Sequence, residues 1–101
     1  ETYKKADTEL NEVYQQILEL YSDDTPFVEA LKTSQRNWIS FRDSEVKMKY
    51  PDREPGWYGS IHPMCVSYYM ADLTNERTEK LREWLANFEE GDACAGSVRD
   101  N

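Results

Sequence analysis

The sequence lacks several features that would place it in a common functional class. It has no run of about 18 apolar residues, the length that a membrane-spanning helix needs. Basic residues number 12 against 20 acidic ones, which gives a net charge of −8. A nucleic-acid binder needs a basic stripe to neutralise phosphates, and an anionic membrane surface would repel this chain. The charge favours a basic protein partner, although net charge alone also keeps a small protein soluble.

Histidine is nearly absent, and the single one has no partners that would build a reactive site. His62 and Cys65 have helical i, i+3 spacing, but a structural zinc ion needs four nitrogen or sulfur ligands. Ser60 lies near His62 without a third group to orient that base. Asp43 and Glu45 could pair, but long narrow helices rarely form a cleft in which two carboxylates flank a sugar. We therefore expect no catalytic residue, no metal and no cofactor.

Cysteine is also scarce, and the chain begins at Glu1 without an initiator methionine or an apolar signal region. We expect a water-soluble, processed or trimmed protein whose signal peptide has been removed. Cys65 and Cys94 favour an oxidising compartment without proving it. A helix over residues 64–89 would be roughly 38 Å long, and five further residues span at most about 17 Å. Either that helix breaks or the two cysteines do not pair, and we favour the absence of an intramolecular bridge.

Apolar residues recur at helical spacing along three segments, which predicts three amphipathic helices. The first stripe consists of Ala6, Leu10, Val13, Tyr14, Ile17, Leu18 and Tyr21. The second helix is expected to begin with Thr25 as N-cap and Pro26 at its first position, and to end near Tyr50. Its stripe consists of Phe27, Leu31, Ser34, Trp38, Phe41, Glu45 and Met48.

The third helix is expected to start near His62 and to continue to Phe88, with a stop signal at Gly91. Its stripe consists of Met64, Cys65, Tyr68, Ala71, Leu73, Arg77, Leu81, Leu85 and Phe88. No alternating strand pattern is present. The sequence thus predicts an all-α fold, an antiparallel bundle of three main helices with an 11-residue Pro/Gly/aromatic loop between the second and third. We expect one domain over residues 1–101 with a frayed tail from about 91 to 101, and a core that includes Leu10, Tyr14, Trp38 and Leu81.

Two arginines, Arg42 and Arg77, lie on or beside the apolar stripes and need hydrogen-bond acceptors if they are buried. We expect a structural polar network that fixes helix register, formed by Gln35, Arg42, Asp43 and Arg77. Acidic acceptors available to the arginines include Glu45, Asp72 and Glu76. The alternative is a binding site for an anion or a carboxylate.

The stretch PDREPGWYGSIHP contains three of the four prolines and the only histidine. It is a connector between two helices, and it carries Trp57, Tyr58 and Ser60 as candidate contacts with a partner. Tryptophan and tyrosine are enriched among the residues that dominate binding energy. The alternative is that Trp57 and Tyr58 fold back and cap the end of the bundle.

Four blocks of sequence occur in a characteristic order: ADTELNEVY, SQRNWISFRDSE, GSIHPMC and LTNERTEKL. Together they span residues 6–81, and the chain resembles the LprI-like lysozyme inhibitor N-terminal domain family. The resemblance implies an all-helical periplasmic or secreted bacterial domain. The family pattern has a cysteine just after its R-D-x-E element, where this chain has Val46. If that cysteine pairs with the counterpart of Cys65, this chain lacks the bridge, and Cys65 pairs upstream of Glu1 or stays free.

The resemblance also implies inhibition of lysozyme, through the member that names the family. We expect a secreted or periplasmic, non-enzymatic binding protein that inhibits lysozyme or another basic glycan hydrolase, with no nucleic-acid partner and no membrane insertion. The acidity suits a cationic target, because long-range attraction raises the association rate. The alternative is a structural or accessory module of the cell envelope with no enzyme target.

Overall fold

The computed structural model describes residues 2–86 and 92–99, and these residues form helices and no strands. Helix α1 spans Thr2–Leu20, α2 spans Thr25–Lys49 and α3 spans His62–Leu81, followed by a 3₁₀ turn at Arg82–Trp84. Their contacts form a bundle. The predicted all-α fold with three main helices is therefore confirmed.

Consecutive helices run antiparallel, so α1 and α3 run parallel to each other. At one end of the pair the Tyr3 amide donates to Ser67 Oγ at 3.2 Å. At the other end the Tyr21 hydroxyl donates to the Trp84 carbonyl oxygen at 2.8 Å. The result is a rod about 54 Å long and 22 by 21 Å across.

The core lies mainly between α1 and α3. The α1 stripe supplies its large members, and α3 supplies smaller ones; the fully buried residues of these two segments are Ala6, Leu10, Val13, Ile17, Tyr21, Ala71, Thr74, Thr78 and Leu81. Thr74 and Thr78 are polar, but their hydroxyls donate to the carbonyl oxygens one turn earlier in the same helix, at 2.7 and 3.0 Å. Tyr14 and Trp38 are partly buried and pack against this core.

Helix α2 contributes much less to the core, and Leu31 is its one fully buried residue. The second half of its predicted apolar stripe is wrong, because Phe41 is 51% exposed and Met48 is 66% exposed. Arg42 faces α1 instead and donates to the Tyr3 hydroxyl at 3.0 Å. Tyr3 lies in the first turn of α1, so the part of α2 that follows Arg42 has no described residue of α1 opposite it.

Two stripe residues of α3 also lie outside the core, contrary to expectation. Met64 is 48% exposed and Tyr68 is 52% exposed. Both fall on the side of α3 that lies next to the start of α1, where α1 does not cover them.

The boundaries of two helices differ from those predicted. The N-cap of α2 is Asp24 and not Thr25, because Asp24 Oδ1 accepts from the Phe27 amide at 3.2 Å. Helix α3 ends at Leu81, so the longer helix predicted from its periodicity is wrong. The tighter turn that follows places the Trp84 ring 6.0 Å from Phe27 and brings its carbonyl oxygen to Tyr21. The predicted continuation to Phe88 and the stop at Gly91 lie outside the described residues.

The described part of the C-terminal tail, residues 92–99, contacts the bundle. The Arg99 amide donates to the Tyr21 hydroxyl at 2.9 Å, and Trp84 Nε1 donates to Ser97 Oγ at 3.0 Å. The Arg99 guanidinium lies 2.9 Å from Asp23 and holds the pKa of that carboxyl below its usual value. These contacts join the tail to the turn between α1 and α2.

Tyr21 connects three segments, and this role can be tested by removing its hydroxyl. We expect Tyr21→Phe to lower the free energy of unfolding by about 1–2 kcal/mol, because the Trp84 carbonyl and the Arg99 amide both lose a partner. Urea unfolding measures the change. Tyr68→Phe, which alters a half-exposed ring, is the control. Equal stability of the two variants would contradict the assigned role.

Candidate functional site

An aromatic cluster closes the loop between α2 and α3. The Tyr58 ring lies 4.5 Å from His62 and 5.5 Å from Tyr50, measured between ring centroids. Tyr50 in turn lies 5.2 Å from His62 and 6.4 Å from Tyr69. The Tyr58 hydroxyl donates to the Pro51 carbonyl oxygen. Tyr58 therefore folds back and caps the end of α2 and α3.

The backbone of the loop follows three successive turns. Trp57 donates its amide to the Glu54 carbonyl, Gly59 to Gly56, and His62 to Gly59, at 3.0, 3.1 and 3.3 Å. Gly56 and Gly59 have φ values of 84° and 83°. Side chains with a Cβ rarely adopt these angles, so glycine is needed at both positions. The turns and the cap together fix the path of the loop.

Trp57 is 64% exposed. One face of its indole lies near the Arg53 guanidinium, whose central carbon is 5.2 Å from the ring centroid. Trp57 and Tyr58 were expected either to contact a partner or to cap the bundle. Tyr58 caps the bundle, whereas Trp57 stays exposed to solvent. Ser60 is exposed in the same loop. A role of Trp57 or Ser60 in partner contact stays a prediction.

The hydroxyl of Tyr50, in this cluster, stays protonated near neutral pH. Desolvation raises the pKa of the Tyr50 hydroxyl, and neighbouring Cys65, Tyr69 and Tyr58 raise it further. His62 is unusual in a different way: its Nε2 atom is buried and has no hydrogen-bond partner among the described residues. An unpaired buried polar atom costs free energy, so His62 is a point of energetic weakness in the cap.

A groove of about 480 Å³ runs beside the cap between α2 and α3. Apolar and aromatic side chains form most of it: Val46, Tyr50, His62, Val66 and Met70. Polar groups on α2 form its rim: Asp43, Ser44 and Lys47. This groove was not predicted from the sequence, although i, i+4 spacing within each helix places these residues on facing sides.

The residues of the predicted polar network form two separate pairs. Arg77 Nε donates to Gln35 Oε1 at 3.0 Å, and Arg77 Nη2 donates to Ser34 Oγ at 3.1 Å. These acceptors are neutral, in place of the expected carboxylates. Burial lowers the pKa of Arg77, and Tyr14 opposes that effect.

Arg42 belongs to the second pair, about two turns further along α2. Its Nη2 atom lies 3.0 Å from Asp43 Oδ1, and its side chain is 12% exposed. The guanidinium also lies 5.3 Å from the Trp38 ring centroid. Arg42 is thus held between α1 and α2, away from Arg77.

The remaining candidates for chemistry stay apart. No group of three or more His, Cys, Asp or Glu side chains within residues 2–86 and 92–99 is arranged to hold a metal ion. Cys65 is partly buried and Cys94 is exposed, and both are free thiols. The length argument against a bridge assumed an unbroken helix over residues 64–89. That assumption was wrong, because α3 ends at Leu81. None of the helices in the described part of the chain has the length and apolar content needed to traverse a bilayer.

Removing the unpaired nitrogen of His62 should strengthen the cap. We expect His62→Phe to raise the free energy of unfolding by about 1 kcal/mol, because a phenyl ring keeps the contacts with Tyr50 and Tyr58 and removes a buried polar atom. Urea unfolding checks this, with Trp57→Phe as an exposed control in the same loop. A clear loss of stability in His62→Phe would mean that the imidazole makes a favourable polar contact.

Comparison with known proteins identifies the family. The chain matches the model of the family described as Lysozyme inhibitor LprI over residues 1–81. An uncharacterized protein of Rhizobium meliloti strain 1021 is 35% identical over 98 residues, which cover 86% of this chain and 68% of that protein. No solved structure matches the chain. With four fifths of its length matched, the chain belongs to the LprI lysozyme inhibitor family.

Proposed function

We propose that this chain is a non-enzymatic, extracytoplasmic binding protein that inhibits lysozyme or another basic glycan hydrolase. The observation that carries the proposal is the exposed Trp57 on a structurally fixed loop, in a chain of the lysozyme inhibitor family. Tryptophan contributes strongly to binding energy when a partner buries it. A loop that is already ordered loses little conformational entropy on binding.

The distribution of charge supports a basic partner and indicates which sides it would approach. Helix α2 has two more basic than acidic side chains, namely Lys32, Arg36, Arg42, Lys47 and Lys49 against Glu29, Asp43 and Glu45. Because the whole chain has a net charge of −8, the acidic excess lies outside α2. A cationic enzyme would be attracted towards α1, α3 and the chain ends, and less towards α2.

Inhibition should be detectable as slower lysis of a cell-wall suspension by a c-type lysozyme in the presence of excess protein. We expect strong inhibition at about 0.01 M salt and weaker inhibition at about 1 M, because the Debye length falls from about 30 Å to about 3 Å. Unchanged lysis at both salt concentrations would contradict the proposal and favour an accessory module of the cell envelope.

Trp57 should be a principal contact in the inhibited complex. We expect Trp57→Ala to raise the inhibition constant by about 30-fold, which corresponds to the roughly 2 kcal/mol typical of a dominant interface residue. Phe41→Ala is the matched control, since Phe41 is an exposed aromatic residue on the net-basic α2. Its inhibition constant should change by less than about threefold. Equal effects of the two substitutions would remove Trp57 from the contact.

A further inference from the structure

A second exposed apolar feature follows Trp57 along the chain. Ile61, Met64 and Tyr68 are 54%, 48% and 52% exposed, although all three are large and apolar or aromatic. Their spacing of three and four residues places them on one side of α3. At 1.5 Å per residue they cover about 10 Å of that helix. We refer to Ile61, Met64 and Tyr68 as the α3 stripe.

The α3 stripe borders a groove along the seam between α1 and α3. One part of the groove, about 390 Å³, is lined by Thr2, Pro63, Met64, Ser67 and Tyr68. The adjoining part, about 510 Å³, is lined by Thr2, Lys5, Ala6, Glu9 and Asn75. Both parts share Thr2. The part near the loop has no charged lining residue, whereas Lys5 and Glu9 line the part further from the loop.

Lys5 lines this groove beside Glu9, and the end of the face away from the loop carries further carboxylates. Arg82 alone lies 3.1 Å from both Glu9 and Glu79. Asp72 and Glu76 are exposed and make no ion pair within the described part of the chain. A second copy of this chain has the same charge and would be repelled, as would an anionic membrane. The surplus negative charge selects a basic partner.

The loop by itself is small for a stable inhibitory contact. Specific protein–protein interfaces use about 20–30 residues on each side, whereas Trp57 is a single projecting side chain. Ile61 follows Trp57 by four residues in the same loop, and both side chains are more than half exposed. An apolar centre beside a charged margin is the usual anatomy of such an interface.

We propose that the α3 stripe, together with Asp72 and Glu76, is the docking surface for the basic glycan hydrolase. This inference rests on the proposed function. The partner presents an apolar patch that covers Met64 and Tyr68, and next to it Lys or Arg side chains that meet the two carboxylates. Trp57 and the α3 stripe then contact the same enzyme molecule.

The test compares two double variants. Each replaces two apolar or aromatic side chains that are about half exposed or more. The first variant carries Met64→Ser and Tyr68→Ser. The matched control carries Phe41→Ser and Met48→Ser, two residues on α2 that are 51% and 66% exposed. We expect the first variant to raise the Kd for c-type lysozyme by at least about tenfold, and the control to change it by less than about twofold. Urea unfolding verifies that both variants remain folded.

The charged margin is tested by a variant that carries Asp72→Asn and Glu76→Gln. We expect a lower association rate constant and a weaker salt dependence, with little change in the dissociation rate constant, because margin charges act mainly through long-range attraction. Glu29→Gln on α2 is the control and should leave the association rate constant unchanged. An unchanged association rate constant in the first variant would remove the carboxylates from the docking surface.

The outcomes separate this inference from the proposed function. If the unmodified chain does not bind lysozyme, the proposed function fails and the docking surface fails with it. If it binds and inhibits, but both serine variants lose affinity equally or not at all, only the docking surface is overturned. If sedimentation shows that the unmodified chain dimerises and that Met64→Ser with Tyr68→Ser abolishes the dimer, the face belongs to a second copy, which also overturns the inference.

Discussion

The packing of large side chains on α1 against small ones on α3 is the contact on which the rest of the molecule depends. Ala71, Thr74 and Thr78 project little from α3, so Leu10 and Ile17 of α1 can approach that helix closely. The two threonines are polar, but their hydroxyls are satisfied within their own helix. Neither Thr74 nor Thr78 therefore leaves an unpaired hydroxyl in the seam. The seam holds α1 and α3 parallel, and α2, which connects them in the chain, runs in the opposite direction.

The weak burial of α2 follows from this arrangement. Only Leu31 of that helix is fully buried, and polar contacts hold the helix elsewhere. Arg77 reaches Gln35 near its middle, and Arg42 reaches Tyr3 nearer its end. Such bonds depend on distance and direction, so they can specify register even where they add little stability.

An aromatic cap closes the loop end of α2 and α3. Both helices extend past the first turn of α1, and within residues 2–86 and 92–99 no third helix lies against their ends. The rings of Tyr50, Tyr58 and His62 pack there instead. Once Tyr58 is committed to this cluster, its neighbour Trp57 is left on the outside of the loop. The exposure of Trp57 is thus a consequence of how the bundle is closed.

Periodicity in the sequence predicted the helices well and their surroundings poorly. The stripe from Ala6 to Tyr21 repeats at helical spacing, and all three main helices were found where such stripes occur. Periodicity identifies an apolar side of a helix but not what covers it. The exposure of Met48 and Met64 depends on how the three helices are staggered against one another, and that register is a tertiary property.

Other features could not be predicted from the sequence, because each depends on a single hydrogen bond or on a backbone angle. Asp24 and Thr25 are both good cap residues, and one hydrogen bond to Phe27 decides between them. The different exposures of Trp57 and Tyr58 depend on the turns around Gly56 and Gly59, so a sequence of two adjacent aromatic residues leaves both alternatives open. The unpaired nitrogen of His62 has no counterpart in the sequence at all, because it exists only once Tyr50 and Tyr58 have packed around it.

The same asymmetry that leaves α2 weakly buried also separates charge in a way that suits the proposed function. Helix α2 is net basic, while the α1–α3 side combines unpaired carboxylates with exposed apolar groups. In the proposed complex, long-range attraction would turn the α1–α3 side towards a cationic enzyme and would turn α2 away from it. Apolar contacts at Trp57 and Met64 would then retain the enzyme at short range, where salt has little influence. Charge would accordingly control the association rate, and the apolar residues would control the dissociation rate.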